Sequence, residues 1–269
     1  MEIIGFAAAI MMGIALGLIG GGGSILTVPI LVYLFGVDAV LATAYSLFIV
    51  GMTSLIGSIT HIKLGNIHWK TALAFGIPSI IAVYLTRMYI VPLIPSEIAL
   101  WSNVHISKSL LLLMLFAVIM LLASYSMIRK STKTVESNLP IQYNFKLIFL
   151  EGMIVGLITG LVGAGGGFLI IPALVLLARL PMKQAVGTSL IIIASKSLIG
   201  FLGDLQGIGQ IDWTFLLVFS SIAIVGILIG ARLSKVVSND RLKPAFGWFV
   251  LIMGLYIIGK EMWPYISSL

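Results

Sequence analysis

Gly17-Leu18-Ile19-Gly20-Gly21-Gly22-Gly23-Ser24-Ile25-Leu26-Thr27-Val28-Pro29-Ile30-Leu31 is an apolar run interrupted by four consecutive glycines, and the chain contains it twice. Residues 160–174 read GLVGAGGGFLIIPAL, identical at eight of fifteen positions at a constant offset of 143, with the same spacing from glycines to proline. A helix carried through Gly20-Gly21-Gly22-Gly23 or Gly163-Ala164-Gly165-Gly166-Gly167 would lose about 1 kcal/mol per glycine relative to alanine. Apolar sequence flanks both clusters. Each therefore predicts a helix break at membrane depth, where irregular backbone survives only inside protein or beside a watery cavity.

The duplication extends outward. Ala42, Ser46, Leu47, Leu55 and Gly57 match Ala185, Ser189, Leu190, Leu198 and Gly200 at the same offset. After one inserted residue, Gly65-Asn66-Ile67-His68-Trp69 matches Gly209-Gln210-Ile211-Asp212-Trp213. Internal duplication of this kind is common among transporter folds. The polar stretch RKSTKTVESNLPIQYNFK, residues 129–146, separates the copies, giving a first repeat 1–128 and a second 147–269.

Hydrophobic residues make up 60% of the 269 and charged residues 9%, against about 25% charged in a soluble domain. Most of the surface must therefore face lipid, and the chain reads as an all-α polytopic membrane protein. Crossing a core of about 30 Å takes about 20 apolar residues. Suitable runs are 3–35 and 147–178, both interrupted at their glycines, with 39–62, 71–92, 106–128, 183–204, 212–234 and 244–266. The first lacks a basic leader and a small-residue cleavage site, and is expected to be a retained membrane segment. The net charge of +7 sits in short loops, where it sets orientation rather than binding nucleic acid. The absence of cysteine excludes thiol chemistry, disulfides and thiolate metal sites. Neither the three histidines nor the nine acids show metal-ligand spacing.

Charge also orders the repeats. Eight simple crossings would divide lysine and arginine almost evenly between the two sides. If each interrupted segment turns back at its glycines or counts as two crossings, one side gathers twelve. These are Lys63, Lys70, Arg129, Lys130, Lys133, Lys146, Arg179, Lys183, Arg232, Lys235, Arg241 and Lys243. Arg87, Lys108 and Lys260 fall on the other side, with Lys196 in mid-span. Only the second arrangement satisfies the positive-inside rule. It predicts inverted repeats with both termini outside the cytoplasm, each repeat opening with a glycine-broken helix or helical hairpin and continuing with three transmembrane helices.

A helix restarting near Ser24 or Phe168 exposes unpaired amides and the positive end of its dipole. Two such termini facing each other would hold an anion. The candidate binding residues are Gly20, Gly21, Gly22, Gly23 and Ser24 in the first copy and Gly163, Gly165, Gly166 and Gly167 in the second. Small residues also serve simply to pack membrane helices closely. Lys196, flanked by Ser195 and Ser197, would cost about 3 kcal/mol at the bilayer centre and by default marks function; pairing with an acid such as Asp204 is the structural alternative. Its counterpart is Thr53, so a site here is asymmetric in charge. Ser46, Thr188 and Ser189 fall at matching depths and are candidate donors to anion oxygens, although hydroxyls often bond their own helix. His61 and Asp204 end the second helix of each half and are candidates for a coupling proton, with capping as the alternative. Trp69, Trp101, Trp213, Trp248 and Trp263 near the span ends read as an aromatic belt.

The duplicated glycine run ending in proline, with Ala185-Val186-Gly187-Thr188-Ser189-Leu190 and the Gly-x-Ile-x-Trp echo, resembles the TauE/SafE sulfite exporter family, also described as the 4-toluene sulfonate uptake permease family. The resemblance spans nearly the whole chain. It implies an inner-membrane secondary transporter for sulfite, sulfoacetate, another organosulfonate or a related anion. The first copy departs from the pattern, with Ala44-Tyr45-Ser46 where the second has Gly187-Thr188-Ser189. No cofactor is expected, since no Walker-type Gly-Lys-Ser/Thr sequence occurs. The expected partners are a small anion and the bilayer. A homodimer would accord with the pairing common among carriers, but no residue argues for it. Two other classes compete: an anion channel, which usually shows rings of polar residues through oligomeric symmetry, and an intramembrane enzyme, for which no nucleophile–base or paired-acid constellation is visible. Cysteines placed singly at Lys133 and Lys235 in this Cys-free chain should both react with an impermeant thiol reagent from the same side. Labelling from opposite sides would rule out the inverted arrangement.

Overall fold

The computed structural model describes residues 2–101, 104–128, 145–176, 178, 180–205, 209–234 and 239–266. Positions 129–144 of the polar connector, which include Arg129, Lys130 and Lys133, lie outside these residues, as do Arg179 and Lys235.

The first repeat opens with α1, Glu2–Ile19. After the glycines the chain resumes as a five-residue 3₁₀ helix, Gly22–Leu26, that runs into α2, Thr27–Leu34. The break is a full reversal. Gly23 lies against the backbone of Met12 and Leu16 on α1. At the far end, the Phe35 ring covers Gly5 and stands edge-on to Phe6 at 5.3 Å. α1 and α2 are thus the arms of an antiparallel hairpin whose tip is the glycine run. The second repeat repeats the reversal with α7, Phe145–Val162, and α8, Gly167–Leu176. There Gly166 lies against Thr159 of α7, the counterparts of Gly23 and Leu16 at offset 143.

Three further helices follow each hairpin. They are α3 (Ala39–Lys63), α4 (Trp69–Leu85) and α6 (Lys108–Ile128), then α9 (Met182–Asp204), α10 (Trp213–Leu233) and α11 (Asn239–Ile266). Among the described residues, six helices are long and apolar enough to cross a membrane, three from each half. α4 does not stop at Leu85. It widens into one π-helical turn, Thr86–Ile90, and ends in the single turn α5, Val91–Leu93. Pro95 follows, whose missing N–H disfavours continuing the helix.

One feature departs from an all-helical reading. Between α5 and α6, β1 (Glu97–Trp101) pairs antiparallel with β2 (Val104–Ser107), Glu97 opposite Ser107 and Ile98 opposite Ile106. Only VHIS alternates in period two, and residues 97–105 lie between the apolar runs 71–92 and 106–128, so no helical expectation covers them.

Packing exchanges partners between the halves. α1 lies on α10 and α7 on α4, while α3 and α9 pair with each other at the centre, and α6 pairs with α11. Hydrogen bonds follow the same exchange. The His68 amide donates to Thr188 Oγ1 at 2.9 Å, and the Asp212 amide donates to Tyr45 Oη at 2.9 Å. Each bond joins the start of one half's third element to the central helix of the other. Tyr45 thus performs with a long side chain what Thr188 performs with a short one, and this explains the departure at position 45.

The outside is apolar. Leu73, Ile77, Ile81 and Leu85 recur every four residues along α4 with about half their surface exposed. Such a stripe has no place against water and suits lipid.

Gly163, at φ +72°, and Gly36, at φ +68°, separate two costs. A side chain at Gly36 meets nothing within 4 Å, whereas one at Gly163 runs into Thr43. Gly36→Ala should therefore lose only the left-handed strain, about 1–2 kcal/mol. Gly163→Ala should unfold at a clearly lower temperature than Gly36→Ala when the detergent-solubilised proteins are heated. Equal melting would mean that the contact with Thr43 is slack.

Candidate functional site: where two glycine turns meet

The two hairpin tips touch. A Cβ built on Gly21 would lie 2.7 Å from the Gly167 Cα, and one on Gly167 would lie 2.6 Å from the Gly21 carbonyl oxygen. Ile193 of α9 wedges its Cδ1 against both. Gly21 holds φ +115°, a conformation open in practice to glycine alone. At this contact glycine is required twice over, once for φ and once for space. The runs 19–31 and 162–168 are buried throughout.

The tips leave amides over. In the first, Gly20 N–H donates to Leu16 O (2.8 Å) and Ser24 N–H to Gly21 O (3.2 Å). In the second, Gly163 N–H donates to Thr159 O (2.8 Å), and Leu169 and Ile170 N–H donate to Gly166 O (3.0 and 3.1 Å). Among the described residues, the amides between these, at Gly22 and Gly23 and at Gly165, Gly166 and Gly167, donate to no backbone carbonyl. Buried amides of that kind need an acceptor.

Side chains from α3 and α9 surround the tips. Gly20 lies against Val186 and Gly163 against Thr43, positions that correspond at offset 143. Ser189 Oγ lies 2.9 Å from Gly20 O and 2.8 Å from Val186 O, sharing its one hydrogen between them. Ser24 Oγ donates to Gly21 O at 2.7 Å and closes the first turn on itself. Thr53 Oγ1 donates back to Ile49 O at 2.7 Å. Ser46 Oγ is buried with no hydrogen-bond partner.

Charge is on one side only. Lys196 is fully buried, and its Nζ stands 2.8 Å from where a Cβ on Gly166 would be. It donates to Thr159 Oγ1 at 3.0 Å and meets no carboxylate among the described residues. Asp204, considered above as its partner, pairs instead with Arg87 at 3.3 Å. Arg87 Nη1 also donates to Thr43 Oγ1 at 2.9 Å. His61, the counterpart of Asp204, has a buried Nδ1 without a partner and packs its Cβ against Gly187.

Three residues at this site were not singled out from the sequence. Thr159 receives the lysine, yet its counterpart is Leu16, so the duplication offers no cue. Ser197 Oγ lies 3.5 Å from where a Cβ on Gly165 would be; its spacing of eight from Ser189 was the available signal. Arg87 counted only as a topological charge, although it sits deep in the run 71–92. Among the described residues, no group of three or more histidine or acidic side chains is placed to hold a metal ion.

Comparison with known proteins agrees with the membrane-spanning reading. The chain is 29% identical over 258 residues to a probable membrane transporter protein of Xylella fastidiosa strain Temecula1, covering 93% of this chain and 92% of that one. It is 29% identical over 269 residues to a probable membrane transporter protein of Methanocaldococcus jannaschii, covering 95% and 93%. It is 25% identical over 276 residues to the probable membrane transporter protein YunE of Bacillus subtilis, covering 94% and 97%. No solved structure is significantly similar. The model of the family described as sulfite exporter TauE/SafE matches residues 5–257, and the chain belongs to that family.

Proposed function

We propose that this protein is a secondary transporter of a small sulfur oxyanion, sulfite or an organosulfonate, and that the anion binds between the two glycine tips. The observation that carries this reading is Lys196. An ammonium buried without a counter-ion costs several kcal/mol. This one points at the glycine turn whose amides also lack acceptors. An oxyanion would supply both needs at once, its oxygens accepting from Gly165–Gly167 amides, Lys196 Nζ and the Ser197 hydroxyl. Sulfur as the central atom follows from the family's name.

The buried tips support alternating access over an open pore, because a pore would leave them wet. Each hairpin returns to the side from which it starts, so each half contributes an odd number of full crossings. That count, together with the twelve-to-three division of basic residues, supports inverted repeats and termini outside the cytoplasm of an inner membrane. Access then requires the paired helices α3 and α9 to part from the hairpins, first at one end and then at the other. Ser46, Thr188 and Ser189 would then line that path, with His61 near the end of α3 and Asp204 at the end of α9 as candidates for a coupling proton.

Uptake of labelled sulfite into proteoliposomes tests the reading. Lys196→Ala should lower uptake roughly thirtyfold or more, since removing one partner of a buried charge pair costs about 2 kcal/mol upwards. Unchanged uptake would remove Lys196 from the site. A wild-type protein that moves neither sulfite nor organosulfonates under any imposed gradient would overturn the proposal.

A further inference from the structure

Arg87 is 1% exposed, and its guanidinium is only partly used. Both of its polar contacts, Thr43 Oγ1 at 2.9 Å and Asp204 at 3.3 Å, are made through Nη1. Nε and Nη2 are buried and have no partner. A guanidinium presents five donors in a planar fork that fits a carboxylate or another oxyanion two oxygens at a time. Here the carboxylate touches one nitrogen and leaves the rest of the fork free. A buried pair in such a geometry is poor value for stability, because the desolvation cost exceeds what one contact returns.

The position is equally telling. Arg87 lies in the π-helical turn Thr86–Ile90, and π-bulges concentrate at functional sites. Thr43, its hydroxyl partner, is the residue packed on Gly163 of the second glycine turn. Asp204 ends α9, the helix that carries Lys196 eight residues earlier, a rise of about 12 Å. Lys108 at the start of α6 is the other charged group acting on Asp204, and Asp38 at the N-cap of α3 acts in turn on Lys108. They carry opposite signs, so the neighbourhood is balanced when Arg87 and Asp204 are paired.

We propose that Arg87 is a second oxyanion-binding station, in series with the one at Lys196, and that Asp204 is the internal carboxylate an arriving anion displaces. This inference rests on the transport reading above. The exchange needs no chemistry beyond ion pairing. The oxyanion takes the Nε and Nη2 donors, the Asp204 contact to Nη1 is released, and the freed carboxylate turns to Lys108 or to water entering with the anion. A tethered competitor of this kind keeps the station closed until substrate arrives, and lowers apparent affinity by the fraction of guanidinium it occupies.

Equilibrium binding of labelled sulfite to the purified protein tests the station, in a Lys196→Ala background that removes the first one. Binding should persist there although transport is lost. Adding Asp204→Asn should tighten it about tenfold, by removing the competitor. Adding Arg87→Gln together with Asp204→Asn should abolish it. That double change replaces both charges at once, so the fold is spared an uncompensated carboxylate, and its melting temperature checks this. Three results would overturn the station: no binding to the Lys196→Ala protein while the wild type transports, no tightening with Asp204→Asn, or undiminished binding without Arg87. None of them would touch the transport reading, which fails only if the wild type moves no sulfur oxyanion.

Discussion

Direct contact between the Gly21 and Gly167 backbones is the constraint on which the rest of the structure depends. Inside a bilayer no water satisfies stray amides, so a chain reversal there must be walled in by protein. Each hairpin tip meets the other at this one contact and is otherwise walled in by the neighbouring helices. The central helices α3 and α9 complete the enclosure, with Ile193 filling the seam and Val186 and Thr43 closing the two turns from opposite sides. A single methyl group at the contact would hold the tips apart and loosen every element that packs on them.

The frame is nearly two-fold, but its chemistry is not. Corresponding bonds join the halves at His68–Thr188 and at Asp212–Tyr45. The charges break the correspondence. Lys196 faces Thr53 across the repeat, and Asp204 faces His61. The Lys196–Thr159 contact and the Arg87–Asp204 pair both lie around the second turn or its flank. Duplication supplies a nearly symmetric scaffold, and the buried cations Lys196 and Arg87 stand only around the second tip and its flank.

The hairpin ends are tied down near the bundle's rim. Tyr33 at the end of α2 donates to Glu261 Oε1 of α11 at 3.0 Å, and Lys260 Nζ sits 4.2 Å from the Tyr33 ring centre. The tip stays buried while the open end of the hairpin is anchored in a polar, aromatic cluster of the sort that suits a membrane interface.

The amino-acid pattern alone determined the membrane class, the duplication and nearly every helix boundary, because apolar length and glycine clusters are local, one-dimensional signals. Residues 39–62 and 183–204 were each read to within one residue of α3 and α9 at both ends. The same signals named Lys196, since an ionisable residue in an apolar run is conspicuous wherever it points. Tertiary structure decided what spacing cannot carry. It made each break a reversal, brought Gly21 onto Gly167, and gave Asp204 to Arg87 rather than to Lys196. The last two of those outcomes depend on contacts between residues more than a hundred positions apart. Thr159 and Arg87 acquire their partners only in the folded chain, because a threonine or an arginine in a helix takes its meaning from the helix that packs beside it.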